Sequence, residues 1–95
     1  MKVMAIGTLA PLTPEQQKTY MPQEVPATLQ LYLDGKMEQF WLRSDGRGVI
    51  FLMSTGSVEE AGALLKALPL GRAGILRFDL MPIEPLMPLG MLIKR

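Results

Sequence analysis

The sequence contains neither cysteine nor histidine. Without cysteine, the chain has no disulfide bonds, no thiolate nucleophile and no thiolate ligand for a metal. Without histidine, it has no histidine-based catalytic triad and no histidine-ligated haem, and most transition-metal centres are excluded as well. The candidate catalytic groups are therefore carboxylates and arginines, and we expect neither a metal ion nor another cofactor.

Charge of either sign is also scarce. Ten Lys and Arg residues stand against nine Asp and Glu, which gives a formal net charge of +1. The basic residues are scattered along the chain, so they form no positive patch that would attract nucleic acid. No apolar run reaches the roughly 18 residues of a membrane-spanning helix, and the run before Pro11 is too short for a signal peptide. We expect a cytoplasmic protein with neither a nucleic-acid nor a membrane partner.

Apolar residues, by contrast, are abundant. They make up 48% of only 95 residues, whereas a small domain has proportionally more surface than a large one and needs more polar side chains to cover it. A partner subunit is the simplest place for the surplus apolar surface. We therefore predict a homodimer or a larger homo-oligomer.

The pattern of apolar residues predicts the element order β-α-β-β-α-β. The predicted strands are residues 2–9, 36–43, 49–54 and 73–81, and the predicted helices are residues 14–34 and 58–68. This order is typical of an α+β, ferredoxin-like fold with a four-stranded antiparallel sheet and two helices on one face. The chain is short enough to form a single domain over residues 1–95.

Each predicted helix has a recognisable start. Thr13 can cap the first helix, and Pro14 suits its first position. Pro22 and Pro26 predict a break near residues 21–22, because proline lacks a backbone N–H. After the break, the helix carries an apolar stripe that comprises Val25, Leu29, Tyr32 and Leu33. The second helix begins with the capping box Ser57-Val58-Glu59-Glu60.

The C-terminal segment is the most unusual part of the sequence. Residues 80–93 contain a single charge, Glu84, and the prolines at 82, 85 and 88 recur at the three-residue spacing of polyproline II. Residues 82–95 are therefore predicted to form an extended apolar arm. The arm either folds back on its own domain or crosses onto a neighbouring subunit.

Alternation along the strands separates an apolar face of the sheet from a mixed one. The all-apolar residues are expected to face the helices; they are Phe40, Leu42, Leu76, Phe78 and Leu80. The mixed residues are expected on the opposite face; they are Met37, Gln39, Trp41, Arg43, Arg77 and Asp79. In a dimer that stacks two such faces, polar groups and an indole would line a mostly apolar pocket.

Four residues of the mixed set are the candidate ligand-binding residues. Arg43 and Arg77 can hold a substrate carboxylate with two parallel hydrogen bonds each, or they can form an ion pair inside the interface with Asp79, Asp45 or Glu38. Trp41, the only tryptophan, either stacks on a ligand or packs in the interface. Gln39 completes the predicted lining.

Two carboxylates near this face are the candidate catalytic residues. A carboxylate in an apolar pocket has a raised pKa and can act as an acid or a base near neutral pH. Asp79 is the first candidate and Glu38 the second. The alternative for both is an ordinary charge at the edge of a sheet.

The segment between Gly35 and Leu70 resembles the muconolactone delta-isomerase family. The resemblance rests on Gly35, on Trp41 in an aromatic-rich strand, on Ser57-Val58-Glu59 before a helix and on Leu68-Pro69-Leu70 after it. It covers about the last two thirds of the chain. That family consists of small proteins of the dimeric α+β barrel type, so the resemblance implies the same fold and an oligomer built from barrel-forming dimers.

The resemblance also implies a reaction. Members of the family move a proton within a lactone without a cofactor, so the implied function is cofactor-free proton transfer on a small lactone or organic acid. A carboxylate would carry the proton, and an arginine would hold the substrate. Two alternatives stay open, which are a non-catalytic oligomeric domain with a ligand-binding or structural role and a cofactor-free oxygenase. Whether the chain is an enzyme is thus undecided by its sequence.

Overall fold

Strand β1 lies inside a four-stranded antiparallel sheet whose order is β2-β3-β1-β4. The computed structural model describes residues 1–84. Its elements are β1 (Lys2–Leu9), α1 (Pro14–Leu33), β2 (Met37–Leu42), β3 (Gly48–Ser54), α2 (Val58–Lys66), α3 (Pro69–Arg72) and β4 (Leu76–Ile83). The predicted βαββαβ order and the α+β class are confirmed, with the short helix α3 added before β4.

The core lies between the sheet and the helices. Its fully buried members come from three strands and from α2; they are Val3, Ala5, Met37, Phe51, Met53, Ala61 and Leu65. Ala27 and Leu31 of α1 pack against the same cluster. Both long helices therefore cover one face of the sheet, and the other face carries no element of residues 1–84.

Helix α1 runs without a break through Pro22 and Pro26, so the predicted interruption near residues 21–22 is wrong. The two prolines are four residues apart and lie on the exposed side of the helix. Their missing N–H groups would have bonded to the carbonyl oxygens of Lys18 and Pro22, which water can reach instead. At the start of the helix, Thr13 and Gln16 form a reciprocal capping box, with bonds of 3.0 and 3.1 Å.

The apolar stripe of α1 is not the most buried side of the helix, although its Tyr32 packs edge-to-face on Phe40 of β2. Leu29 is 46% exposed and Leu33 is 75% exposed, whereas Ala27 and Leu31 pack inward. Apolar residues occupy both sides of this helix, so their spacing does not determine which side is buried. Gly35, which follows the helix, adopts a φ of 76°, the left-handed conformation that glycine favours after a helix end.

Helix α2 is shorter than predicted and ends at Lys66, because the chain turns into α3 at Pro69. Ser57 caps it by accepting a hydrogen bond of 3.1 Å from the Glu60 N–H. The Glu60 carboxylate accepts the Gly56 N–H at 2.9 Å, instead of the Ser57 N–H that a capping box uses. Glu60 also pairs with Lys36 at 3.1 Å, which ties α2 to the start of β2.

Strand β4 begins later and ends later than predicted. Residues 73–75 belong to the turn after α3, and the strand runs from Leu76 to Ile83. Pro82 pairs with Val3 in this strand, which is possible because β4 is an edge strand and needs no second set of hydrogen bonds. Residues 82 and 83 of the predicted arm belong to β4, and its residues 85–95 lie outside the described part, so the arm stays a prediction.

The two faces of the sheet follow the predicted alternation with one exception. The registers place Phe40, Phe51, Ala5 and Leu80 side by side on the helix face. A β-bulge between Met37 and Gln39 adds one residue to β2, so Met37 turns into the core and is 1% exposed. Its predicted place on the opposite face is wrong. No helix within residues 1–84 is long and apolar enough to cross a membrane.

Candidate active site

Five of the predicted site residues, namely Gln39, Trp41, Arg43, Arg77 and Asp79, share one face of the sheet, the open face that no helix of residues 1–84 covers. One row across the four strands consists of Trp41, Ile50, Ile6 and Asp79. In the next row, Thr8 lies between Gly48 and Arg77. Arg43 lies at the end of this row, where its backbone N–H donates a hydrogen bond to the Gly48 carbonyl oxygen. Gln39 lies beside Leu52 one row further along.

Within one chain, however, these residues do not converge on one point. Trp41 and Asp79 occupy opposite edges of the sheet, about 14 Å apart at three inter-strand spacings. Glu38 forms an ion pair with Lys2. A pocket that uses both edges of the open face needs a second molecule to close it.

Arg43 is already engaged in an ion pair at the turn between β2 and β3. Its guanidinium donates to the Asp45 carboxylate at 2.6 Å and to the Thr8 hydroxyl at 2.9 Å. The hydrogen bond from the Arg47 backbone N–H, helped by the Arg43 guanidinium, lowers the pKa of Asp45 below its ordinary value. Of the two roles considered for Arg43, the geometry therefore shows the ion pair.

Arg77 and Asp79 lie on the exposed surface of β4. They line a shallow hollow of about 640 Å³, which Thr8 and Arg47 complete at the end of the sheet. This hollow opens widely to solvent and holds no buried carboxylate. Ligand binding by Arg77 and catalysis by Asp79 stay predictions.

A more apolar cleft lies on the other side of the sheet, between α1 and the strands. Its cavity volume is about 340 Å³. One wall is the side of α1 that carries Met21, Val25 and Leu29. The other wall is formed by strand and loop residues, which include Phe40, Leu42, Val49, Phe51, Leu70 and Leu76.

Glu24 lies in this cleft and is only 6% exposed. Its Oε1 accepts a hydrogen bond of 2.9 Å from the backbone N–H of Leu70, and its Oε2 accepts one of 3.3 Å from the Thr28 hydroxyl. Leu70 is the second residue of α3, where an N–H has no partner inside the helix. The carboxylate thus joins α1 to α3 and contributes a charged oxygen to an otherwise apolar wall.

Sequence reasoning missed Glu24 altogether. The available signal was helical spacing, because Glu24 lies three residues before Ala27 and seven before Leu31, both of which pack inward. Within residues 1–84, it is the only carboxylate in the buried class. A break placed at Pro22 concealed this spacing, since it divided α1 just before the residues that share the buried side.

Comparison with known proteins gives a likeness in structure but none in sequence. No family model matches the chain, and no curated protein matches it significantly. The fold is similar to that of 5-chloro-2-hydroxyhydroquinone dehydrochlorinase (TftG) from Burkholderia phenoliruptrix AC1100, determined in complex with 2,5-dihydroxybenzoquinone. The TM-score is 0.69 at 13% sequence identity, over 88% of this chain and 94% of that one. The likeness supports the ferredoxin-like fold; the muconolactone delta-isomerase resemblance and the dimeric α+β barrel assembly stay predictions.

Proposed function

We propose that this chain is a cofactor-free enzyme that moves a proton on a small cyclic compound bound between α1 and the sheet. The observation that carries the proposal is the position of Glu24. A buried carboxylate lines an apolar cleft of about 340 Å³. Clefts with apolar walls are the usual sites of small-molecule binding, and a carboxylate within one can remove a proton from a bound ligand.

The proposed reaction is balanced without any further reactant. The Glu24 carboxylate removes a proton from a carbon next to a carbonyl group, and the electron pair of that C–H bond moves into the carbonyl to form an enolate. The resulting carboxylic acid returns the proton to another carbon of the same conjugated system. The net result is a shifted double bond, which requires neither a metal nor a redox partner.

Two similarities favour this chemistry. The resemblance of Gly35, Trp41 and the Ser57-Val58-Glu59 motif to the muconolactone delta-isomerase family implies proton transfer within a lactone. TftG, by its name, removes chlorine from a substituted hydroquinone, so a protein of this fold acts on a small ring. Both favour a small cyclic substrate for this chain.

Hydrogen–deuterium exchange tests the proposal without a known substrate. A panel of small unsaturated lactones and cyclic ketones is incubated with the protein in D₂O, and loss of the C–H signals next to the carbonyl is followed by proton NMR. We expect exchange to be accelerated by the wild type and reduced at least about hundredfold in Glu24→Gln, as is typical when a general base is lost. Asp79→Asn is the matched control and should exchange like the wild type.

The control also tests the sequence-based site. If Asp79→Asn loses the exchange and Glu24→Gln keeps it, the base is on the open face and Glu24 is structural. If no compound in the panel exchanges faster than in buffer, the proposal is wrong, and the non-catalytic ligand-binding or structural role is favoured.

We further propose that the open face of the sheet is covered by a second copy of the chain. The face has a largely apolar middle, with Met4, Ile6, Ile50 and Leu52 half-buried and Met81 52% exposed. A contiguous apolar patch of this kind in a small protein marks an interface. Stacking two such faces would also bring polar residues of the two sheet edges together.

Light scattering at micromolar concentration checks this assembly. We expect the wild type to be a dimer or a larger even oligomer, and Ile6→Arg, in the middle of the face, to lower the molecular mass to that of a monomer. Leu33→Arg, on the exposed side of α1, is the control and should not change the mass. A monomeric wild type would contradict the proposal.

A further inference from the structure

The polar lining of the cleft between α1 and the sheet has a single sign of charge. Among the described residues that line it, Glu24 is the only ionisable side chain and Thr28 the only hydroxyl, while the rest are apolar or glycine. No lysine or arginine of residues 1–84 contributes to the lining. The composition of the cleft therefore restricts the charge of its ligand.

The nearest basic residues along the chain belong to other surfaces. Gly46 and Gly48 line the cleft, but Arg47 between them lines the hollow at the end of the open face together with Arg77. Lys18 lies on the outer side of α1 beside Pro22. An anionic ligand in the cleft would consequently meet the Glu24 carboxylate with no cation to offset the repulsion.

The carboxylate keeps capacity for a ligand that donates a hydrogen bond. A carboxylate offers about four lone-pair positions, of which the Leu70 N–H and the Thr28 hydroxyl occupy two. An apolar cavity of about 150 Å³ is sufficient for benzene, so 340 Å³ accommodates one ring with substituents. The walls then supply apolar contact and Glu24 supplies the orientation.

We propose that the cleft takes an uncharged, hydroxyl-bearing ring, of the phenol or enol type, whose O–H donates to Glu24. The proposal rests on the proposed function and narrows it, because it excludes the carboxylic acids that the sequence resemblance admits.

A series of matched rings tests the ligand class directly. Phenol, anisole, benzoate and benzylamine are titrated into the ¹⁵N-labelled full chain, and the amide signals of Thr28 and Leu70 report binding in the cleft. We expect phenol to bind about tenfold more tightly than anisole, which lacks the donor, and at least about tenfold more tightly than benzoate. Benzylamine measures whether the cleft favours a cation.

Glu24→Gln keeps the shape of the side chain and removes its charge. We expect the preference for phenol over benzoate to fall about tenfold in this variant, because the repulsion of the anion disappears. Glu15→Gln, in the exposed first turn of α1, is the control and should keep the wild-type preference. If Glu24→Gln does not fold, the wild-type series decides the question alone.

The possible failures are distinguishable. Benzoate binding as tightly as phenol, with shifts at Thr28 and Leu70, would overturn the ligand class and leave the cleft as the site. Tighter binding of benzylamine would overturn it in favour of a cationic ligand. Shifts confined to Trp41 and Arg77, or no shifts with any ring, would overturn the cleft itself and the proposed function with it.

Discussion

Helices α1 and α2 follow the first strand of each half of the fold, but they cover the sheet in different ways. Helix α2 has nine residues and buries Ala61 and Leu65 in the core beside Val3 and Met53. Helix α1 has 20 residues, yet the one residue it buries fully is Glu24. The shorter helix is thus the better packed one.

The difference explains where the cleft lies. Helix α2 packs apolar side chains into the core, although a cavity of about 550 Å³ remains between it, α3 and β4. Helix α1 contacts α3 through the bond from Leu70 to Glu24 and contacts β2 through the edge-to-face pair of Tyr32 and Phe40, whose ring centres are 5.6 Å apart. Between these two contacts, α1 leaves a cleft on the sheet. Core stability is concentrated in one half of the domain and the candidate site in the other.

The largest expected effect contrasts one leucine from each helix. Leu65→Ala should lower the free energy of unfolding by about 2–5 kcal/mol, because it leaves a cavity in the core beside a side chain that is 1% exposed. Leu29→Ala, in the wall of the cleft, should cost about 0.5 kcal/mol or less, since Leu29 is 46% exposed. Urea unfolding measures both. Equal costs would mean that α1 closes over the sheet as α2 does.

A smaller effect on stability is expected from removing a proline inside α1, since α2 contains none. Pro22→Ala should raise the free energy of unfolding by about 1–3 kcal/mol, because it restores a helical hydrogen bond to the Lys18 carbonyl oxygen. Pro14→Ala is the control, since proline at the first helical position costs nothing. A loss of stability in Pro22→Ala would show that the proline is required for the packing of α1.

The smallest effect concerns pH and the start of α2. The hydrogen bond from the Gly56 N–H, together with that from Lys36, lowers the pKa of Glu60 below its ordinary value. A lowered folded-state pKa adds stability that is fully present above the ordinary value of about 4 and is lost as the pH falls through the folded-state pKa.

Thermal unfolding at pH 6 and pH 3 should therefore show a decrease in melting temperature that is smaller in Glu60→Gln. Glu59→Gln, which changes an exposed neighbour in the same turn, is the control. An unchanged pH dependence in Glu60→Gln would mean that its carboxylate does not anchor α2. Asp45, whose pKa is lowered at the β2–β3 turn, contributes in the same direction.

The strands of this fold were largely predictable from the sequence, because alternation with a period of two is a local property. It placed Phe40, Phe78 and Leu80 on the helix face and Trp41 and Asp79 on the other, as the registers show. It failed at Met37, where a bulge adds one residue, since nothing in the alternation itself marks a bulge.

The candidate site was not predictable by the same means. The carboxylate of Glu24 accepts a hydrogen bond from the N–H of Leu70, which lies 46 residues further along the chain. The spacing of residues within α1 does not reveal that contact. Pro22 and Pro26 also led to a wrong prediction, the break in α1. Proline ends a helix less strictly where the carbonyl oxygens that lose a hydrogen bond face water. The open face was predicted as the site because the alternation along the strands shows its polar residues. The existence of the cleft depends on how α1 packs on the sheet, which the sequence pattern does not show.

The position of β1 inside the sheet has a consequence for folding during synthesis. Of the four described strands β1 is made first, yet it pairs with β3 on one side and with β4, the last of the four, on the other. Only the β2–β3 hairpin, joined by a short turn, forms from neighbouring residues. Loop closure over most of the chain therefore limits the folding rate, and an emerging chain keeps its apolar first strand unpaired on one edge until β4 leaves the ribosome.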